Sequence, residues 1–168
     1  MSIGWPALLA SGLLFTGIGL LLIAALHDFI ARTVPNWLAG TVAVSGIALR
    51  VLTGSLLGGA AVGLVVFVLA AICWRRGWMG GGDVKLLAAP AILIPPPLAL
   101  NFVSAVAICG GVLALIYLLA GRIVTPPPVQ RPHSLPARAL RVERWRIRRG
   151  GPLPYACAIA AGGLFILL

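Results

Sequence analysis

Acidic residues are almost missing from this 168-residue chain: Asp28, Asp83 and Glu143 stand against 13 Lys and Arg, which leaves a formal net charge of +10. Charged residues of both signs make up only 10% of the chain, 61% is hydrophobic, and the mean hydropathy is +1.08. A soluble domain carries about a quarter charged residues, so this composition excludes one. The three cysteines, Cys73, Cys109 and Cys157, form no CxxC pair and no disulfide framework. Each is read as a packing residue. His27 and His133 are too isolated to build a metal site, and no cofactor is expected. A period-2 alternation is also missing, which excludes a membrane barrel and leaves helices as the structure that satisfies every backbone group in lipid.

What the chain has is a series of apolar runs. A bilayer core of about 30 Å takes roughly 20 apolar residues per helical span. Such runs lie at about Trp5 to Leu26, Asn36 to Leu52, Leu56 to Trp74, Val84 to Ile94, Leu98 to Ala120 and Leu153 to Leu168. The expected fold class is therefore all-α, a polytopic transmembrane bundle of about six spans, forming a single membrane-embedded domain over 1–168. The first run has no basic segment ahead of it and is expected to be retained as a span. The fourth is short, either a half-span or a span completed by Pro95, Pro96 and Pro97, a run that reads as the turn before the fifth.

The charge is distributed unevenly. If six spans alternate sides, Arg32, Arg75, Arg76, Lys85 and the eight arginines from Arg122 to Arg149 fall on one side, and only Arg50 on the other. The positive-inside rule makes the arginine-rich side cytoplasmic and puts both termini outside. Nucleic-acid binding needs aromatic platforms or a readout element besides charge, and neither is offered here. The long basic loop at about 121–151 is read instead as a juxtamembrane segment on anionic headgroups, with substrate docking as the alternative. Its apolar residues Leu140, Val142, Trp145 and Ile147 make no single clean helical stripe, which leaves an interfacial helix there open.

Chemistry must then come from the acids. An ionisable residue in or beside a span is a functional hypothesis by default. Asp28 ends the first span and Asp83 opens the fourth, so the span count puts both carboxyls on the cytoplasmic side at similar depth. Two close carboxyls share a proton, and such a pair can activate water with one member and protonate the peptide with the other. Each also has a plainer reading. Asp83 follows Gly80, Gly81 and Gly82 as a helix N-cap would, and Asp28 reads as a solvated boundary residue. Helix polarity alone would leave the shared proton more often on Asp28.

Asp28 to Leu38 reads DFIARTVPNWL, Met79 to Ala88 reads MGGGDVKLLA, and Gly151 to Gly162 reads GPLPYACAIAAG. Together these resemble the signature segments of the prepilin peptidases, the type IV leader peptidases. The resemblance implies that Asp28 and Asp83 are the catalytic pair, supported by Gly80, Gly81, Gly82, Lys85, Pro35, Asn36, Pro154 and Tyr155. It implies an aspartic endopeptidase of the inner membrane, multi-pass, with its active site facing the cytoplasm. Its substrates would be prepilins or pseudopilins, losing a short basic leader. Asn36 has a local reading as the cap of the second span, the glycines as a hinge or a close approach of backbone to substrate, and Tyr155 as an interfacial anchor. With 27 residues ahead of Asp28, the resemblance is to the short, peptidase-only form of the tight-adherence (Flp-type) pili, without methyl transfer. Two other classes compete: a non-enzymatic assembly protein that retains the fold, and a small proton-coupled transporter.

Overall fold

The computed structural model of the chain describes residues 4–125 and 134–168; His133 and part of the basic loop lie outside them. The described residues form seven α-helices and one 3₁₀ turn, with no strand among them. The helices are α1 (Trp5–Ala31), α2 (Asn36–Leu52), α3 (Leu56–Arg75), α4 (Gly81–Leu93), α5 (Ala99–Ile123), α6 (Leu135–Arg148) and α7 (Tyr155–Leu167). The protein is an all-α membrane bundle. Three segments are long and apolar enough to cross a bilayer: α1, α3, and α5 with the 3₁₀ turn Pro96–Leu98 ahead of it. α2 and α7 are shorter apolar helices.

α7 packs between α1 and α5, while α2 joins α1 to α4, and α3 covers α4 on its other side. α4 is the inner helix: Val84 and the run Leu86 to Ala91 are buried, although Lys85 stays exposed. Thirteen residues rise only about 20 Å, so α4 is too short to cross the bilayer core alone. It stops at Leu93, where Ile94 turns extended and the proline run begins, as expected from the missing donors of Pro95 to Pro97.

A helix that ends inside the bundle leaves carbonyls without partners. Arg50 supplies them. Its Nε donates to Ile92 O at 3.0 Å, its Nη2 donates to Leu93 O, and its Nη1 donates to Ser55 Oγ at 3.2 Å. Thus the one basic residue expected on the far side caps α4 and is itself only 6% exposed. Close helix contact at the α5–α7 seam depends on Gly162, where an added Cβ would sit 2.7 Å from the Val106 backbone nitrogen.

One expectation needs correction at the other end. α1 continues past Leu26 to Ala31, so Asp28 lies within its last turn and is buried at 6% exposure, not solvated. The basic loop, whose imperfect stripe left a helix open, does contain one, α6. A tertiary contact holds it in place: Glu143, on α6, is buried against Arg32, just past α1, and Tyr117 of α5.

Candidate active site

One end of the bundle gathers the carboxyl terminus of α1 and the amino termini of α2, α4 and α7. Between them lies an open cleft of about 470 Å³, lined by Asp28, Arg32, Asn36, Gly80 to Asp83, Lys85, Pro152 and Leu153, among others. Asp28 and Asp83 both reach it. Of the remaining residues singled out in the sequence, Pro35 precedes α2, Pro154 precedes α7, and Tyr155 is the first residue of α7; none of the three lines the cleft.

The glycines before Asp83 are placed by space, since none has a positive φ. A Cβ on Gly80 would come within 3.0 Å of Asp83 Oδ2, and one on Gly81 within 3.3 Å of Trp74 Nε1. A Cβ on Gly82 would meet Val34, in the α1–α2 connector, at an ordinary 3.6 Å. Gly80 and Gly81 thus leave room for the Asp83 carboxyl and the Trp74 indole, where a Cβ would crowd them. Gly80, not Asp83, occupies the N-cap position. Asp83 stands three residues later, at the position of the acid of a capping box.

Asn36 also departs from its expected role. It is the first residue of α2, with Pro35 in the cap position and no side-chain cap bond. Its Oδ1 accepts from Lys85 Nζ at 2.9 Å, tying α2 to α4 across the rim of the cleft. Tyr155 packs its ring against Gly110 of α5, where a Cβ would approach it to 2.9 Å.

The two carboxyls have different surroundings. Asp28 Oδ2 accepts from the Ala156 backbone N–H at 3.2 Å, near the amino terminus of α7, and the charges of Arg32 and Arg146 act on it. The unfavourable end of α1 is therefore opposed by the favourable end of α7. Asp83 stands ahead of the apolar part of α4, outside the membrane-spanning segments. Burial, and secondarily the charge of Asp28, push it up to about 6 from 3.8, against the Gly80 hydrogen bond. The polarity of α1 alone had pointed to Asp28 as the protonated member. With the Ala156 donor considered, the polarity of α1 no longer singles out Asp28.

This has a direct test, because the chain contains only two aspartates. In protein labelled with ¹³C at the aspartate carboxyls, Asp83 is expected to titrate near 6. In Asp28→Asn its midpoint should fall but stay above 3.8, since burial is the larger cause. An unmoved midpoint would show that the carboxyls do not sense each other.

Four residues at or beside the cleft had no site role in the sequence: Arg32, Tyr117, Glu143 and Arg146. Arg32 donates to Pro152 O at 2.6 Å, to Tyr117 Oη at 3.2 Å and to Glu143 Oε1. Tyr117 Oη also donates to Glu143 Oε1, and Arg146 Nη1 reaches Glu143 Oε2 at 3.2 Å. Arg146 turns inward as well, donating to Phe29 O and Ile30 O at the end of α1, so it is not simply a headgroup contact. The signal in the sequence was Glu143 itself, a single acid among eight arginines of the loop.

No curated protein and no solved structure matches the chain. The model of the type IV leader peptidase family matches residues 15–115, a segment that contains both Asp28 and Asp83 and ends before α6 and α7. That match extends over more than half of the chain, and the protein belongs to the type IV leader peptidase family.

Proposed function

We propose that this peptidase is of the aspartic type, with Asp28 and Asp83 as its catalytic pair. The observation that carries the reading is the convergence of the two carboxyls on one cleft, from α1 and α4. Asp83 holds the shared proton and Asp28 is the base. Asp28 takes a proton from water as the water oxygen attacks the peptide carbonyl carbon, and Asp83 gives its proton to the carbonyl oxygen. The tetrahedral diol then collapses: the C–N bond breaks, the leaving nitrogen receives a proton from Asp28, and Asp83 recovers its own from the diol. The reaction consumes one water and needs no other reactant.

The substrate is a type IV pilin-like precursor, cut where its basic leader meets the hydrophobic helix. Three features support a cytoplasmic cleft in the inner membrane. Arg32 and Lys85 line it, α6 lies beside it, and the positive-inside rule assigns the arginine-rich side to the cytoplasm. Reporter fusions near Arg141 are expected to read as cytoplasmic, and fusions at either terminus as external. An external Arg141 would separate the cleft from the precursor's leader and remove this reading. The activity itself is tested by co-expression with short pilin-like precursors from the same genome, reading leader loss by mass. Intact precursors beside well-inserted enzyme would favour an assembly protein that keeps the fold.

A further inference from the structure

Arg32 is the only residue other than glycine with a positive φ among the described residues, at 55°. A left-handed backbone costs an L-residue roughly 1–2 kcal/mol, so it persists where the surroundings over-determine it. Here they do. Its backbone N–H closes the end of α1 on Asp28 O at 2.8 Å, and its guanidinium is held by the Pro152 carbonyl, the Tyr117 hydroxyl and the Glu143 carboxylate. Those partners belong to the α6–α7 connector, α5 and α6. The same connector leads into the turn whose Ala156 N–H holds Asp28.

Glu143 is the hub of this arrangement. It is 5% exposed, pairs with Arg32 and Arg146, and accepts from Tyr117. Arg146 in turn ties α6 to the last carbonyls of α1, one and two residues beyond Asp28. A buried acid outside the cleft is thereby wired to Asp28 from both sides of its turn: through Arg32 to the connector, and through Arg146 to α1.

We propose that Glu143 is a positioning residue for the cleft, acting through Arg32 to fix the α1 end and the α7 amino terminus, so that Asp28 is held in register with Asp83. α6 is then a strap across the cytoplasmic end of the site and not only a headgroup contact. The inference rests on the peptidase reading, because register matters only if the two carboxyls work together.

The test measures cleavage of a precursor in detergent by wild type, Glu143→Gln, Arg32→Gln and the double variant, with Asp83→Asn as the inactive control. Misplacing a reacting group by about 1 Å costs about 10²-fold, so Glu143→Gln should lower kcat by about 10- to 100-fold with KM changed less than about threefold. The double variant should be no slower than Arg32→Gln, since both substitutions break one linkage. Glu143→Asp, which keeps the charge but draws it back by one methylene, should recover part of kcat; it also serves if the glutamine variant does not fold. Wild-type kcat in a folded Glu143 variant would overturn the proposal. So would losses that multiply in the double variant, or a loss that disappears once rates are referred to folded protein by its thermal transition. A wild-type protein that cleaves nothing would count against the peptidase reading instead.

Discussion

Asparagine in place of either Asp28 or Asp83 is expected to abolish leader removal, with kcat falling by about 10²- to 10⁴-fold or below detection, since an amide can neither take nor give the proton. The two variants should differ in stability. Because Asp83 sits near 6 in the folded protein against 3.8 in the free group, the neutral form is the one that folding favours. The stability associated with Asp83 is fully present below about 4 and is lost as the pH rises through about 6. Asp83→Asn stays neutral throughout, so above pH 6 it should be at least as stable as wild type, and its thermal midpoint should depend less on pH between 4 and 6. Asp28→Asn loses the charged acceptor of the Ala156 N–H and leaves Arg32 and Arg146 beside a neutral side chain. It should be the less stable of the two. This reverses the ranking that the polarity of α1 suggests. Thermal unfolding in detergent at pH 4.5 and 7.5 checks it, and a larger loss for Asp83→Asn at pH 7.5 would sink the assignment of the proton. Cleavage surviving in either variant would sink the aspartic mechanism.

The apolar runs were enough to read the bundle, because in lipid a helix is the only local way to satisfy its own backbone. The proline run marked the end of α4 for a similarly local reason: Pro95, Pro96 and Pro97 carry no donor. What the sequence could not supply was anything set by a partner distant in the chain. Asp28 looked unfavourably placed because only its own helix was visible; the compensating N–H comes from Ala156, 128 residues later. Asn36 looked like a cap because Asn caps helices well, yet its side chain answers Lys85, 49 residues away. α6 was ambiguous for the same reason. A stripe of apolar residues is the signal of a helix that docks by its apolar face. α6 docks in part through a buried acid, and hydrophobic periodicity does not register that. The composition did contain the clue, since three acids in 168 residues make each of them worth placing, and all three prove to lie at the same end of the bundle.

Arg50 was the exception in the charge count, and its replacement carries the second large expected effect, on stability. Its guanidinium is buried at the end opposite the cleft and faces no acid among the described residues. It is held by the carbonyls of Ile92 and Leu93 and by Ser55 Oγ. A charge in such a place is costly by itself, and it is tolerated because the broken end of α4 offers unpaired carbonyls in a setting poor in water. The arrangement is mutual: α4 can stop short inside the bundle because Arg50 ends it, and Arg50 can be buried because α4 stops. Arg50→Met keeps much of the side chain's length and removes every donor. At about 1–3 kcal/mol for each buried acceptor left unpaired, the loss should be about 2–6 kcal/mol. Arg50→Lys keeps a charge but cannot span both carbonyls with a fixed fork, so it should fall between the two. Because α4 carries Asp83 at its other end, Arg50→Met should also lower cleavage in the fraction that remains folded, by letting the helix shift along its axis. Thermal midpoints in one detergent, measured beside Asp83→Asn as a variant expected to keep its stability at pH 7.5, decide the matter. A wild-type midpoint in Arg50→Met would mean that α4 is terminated by its prolines alone.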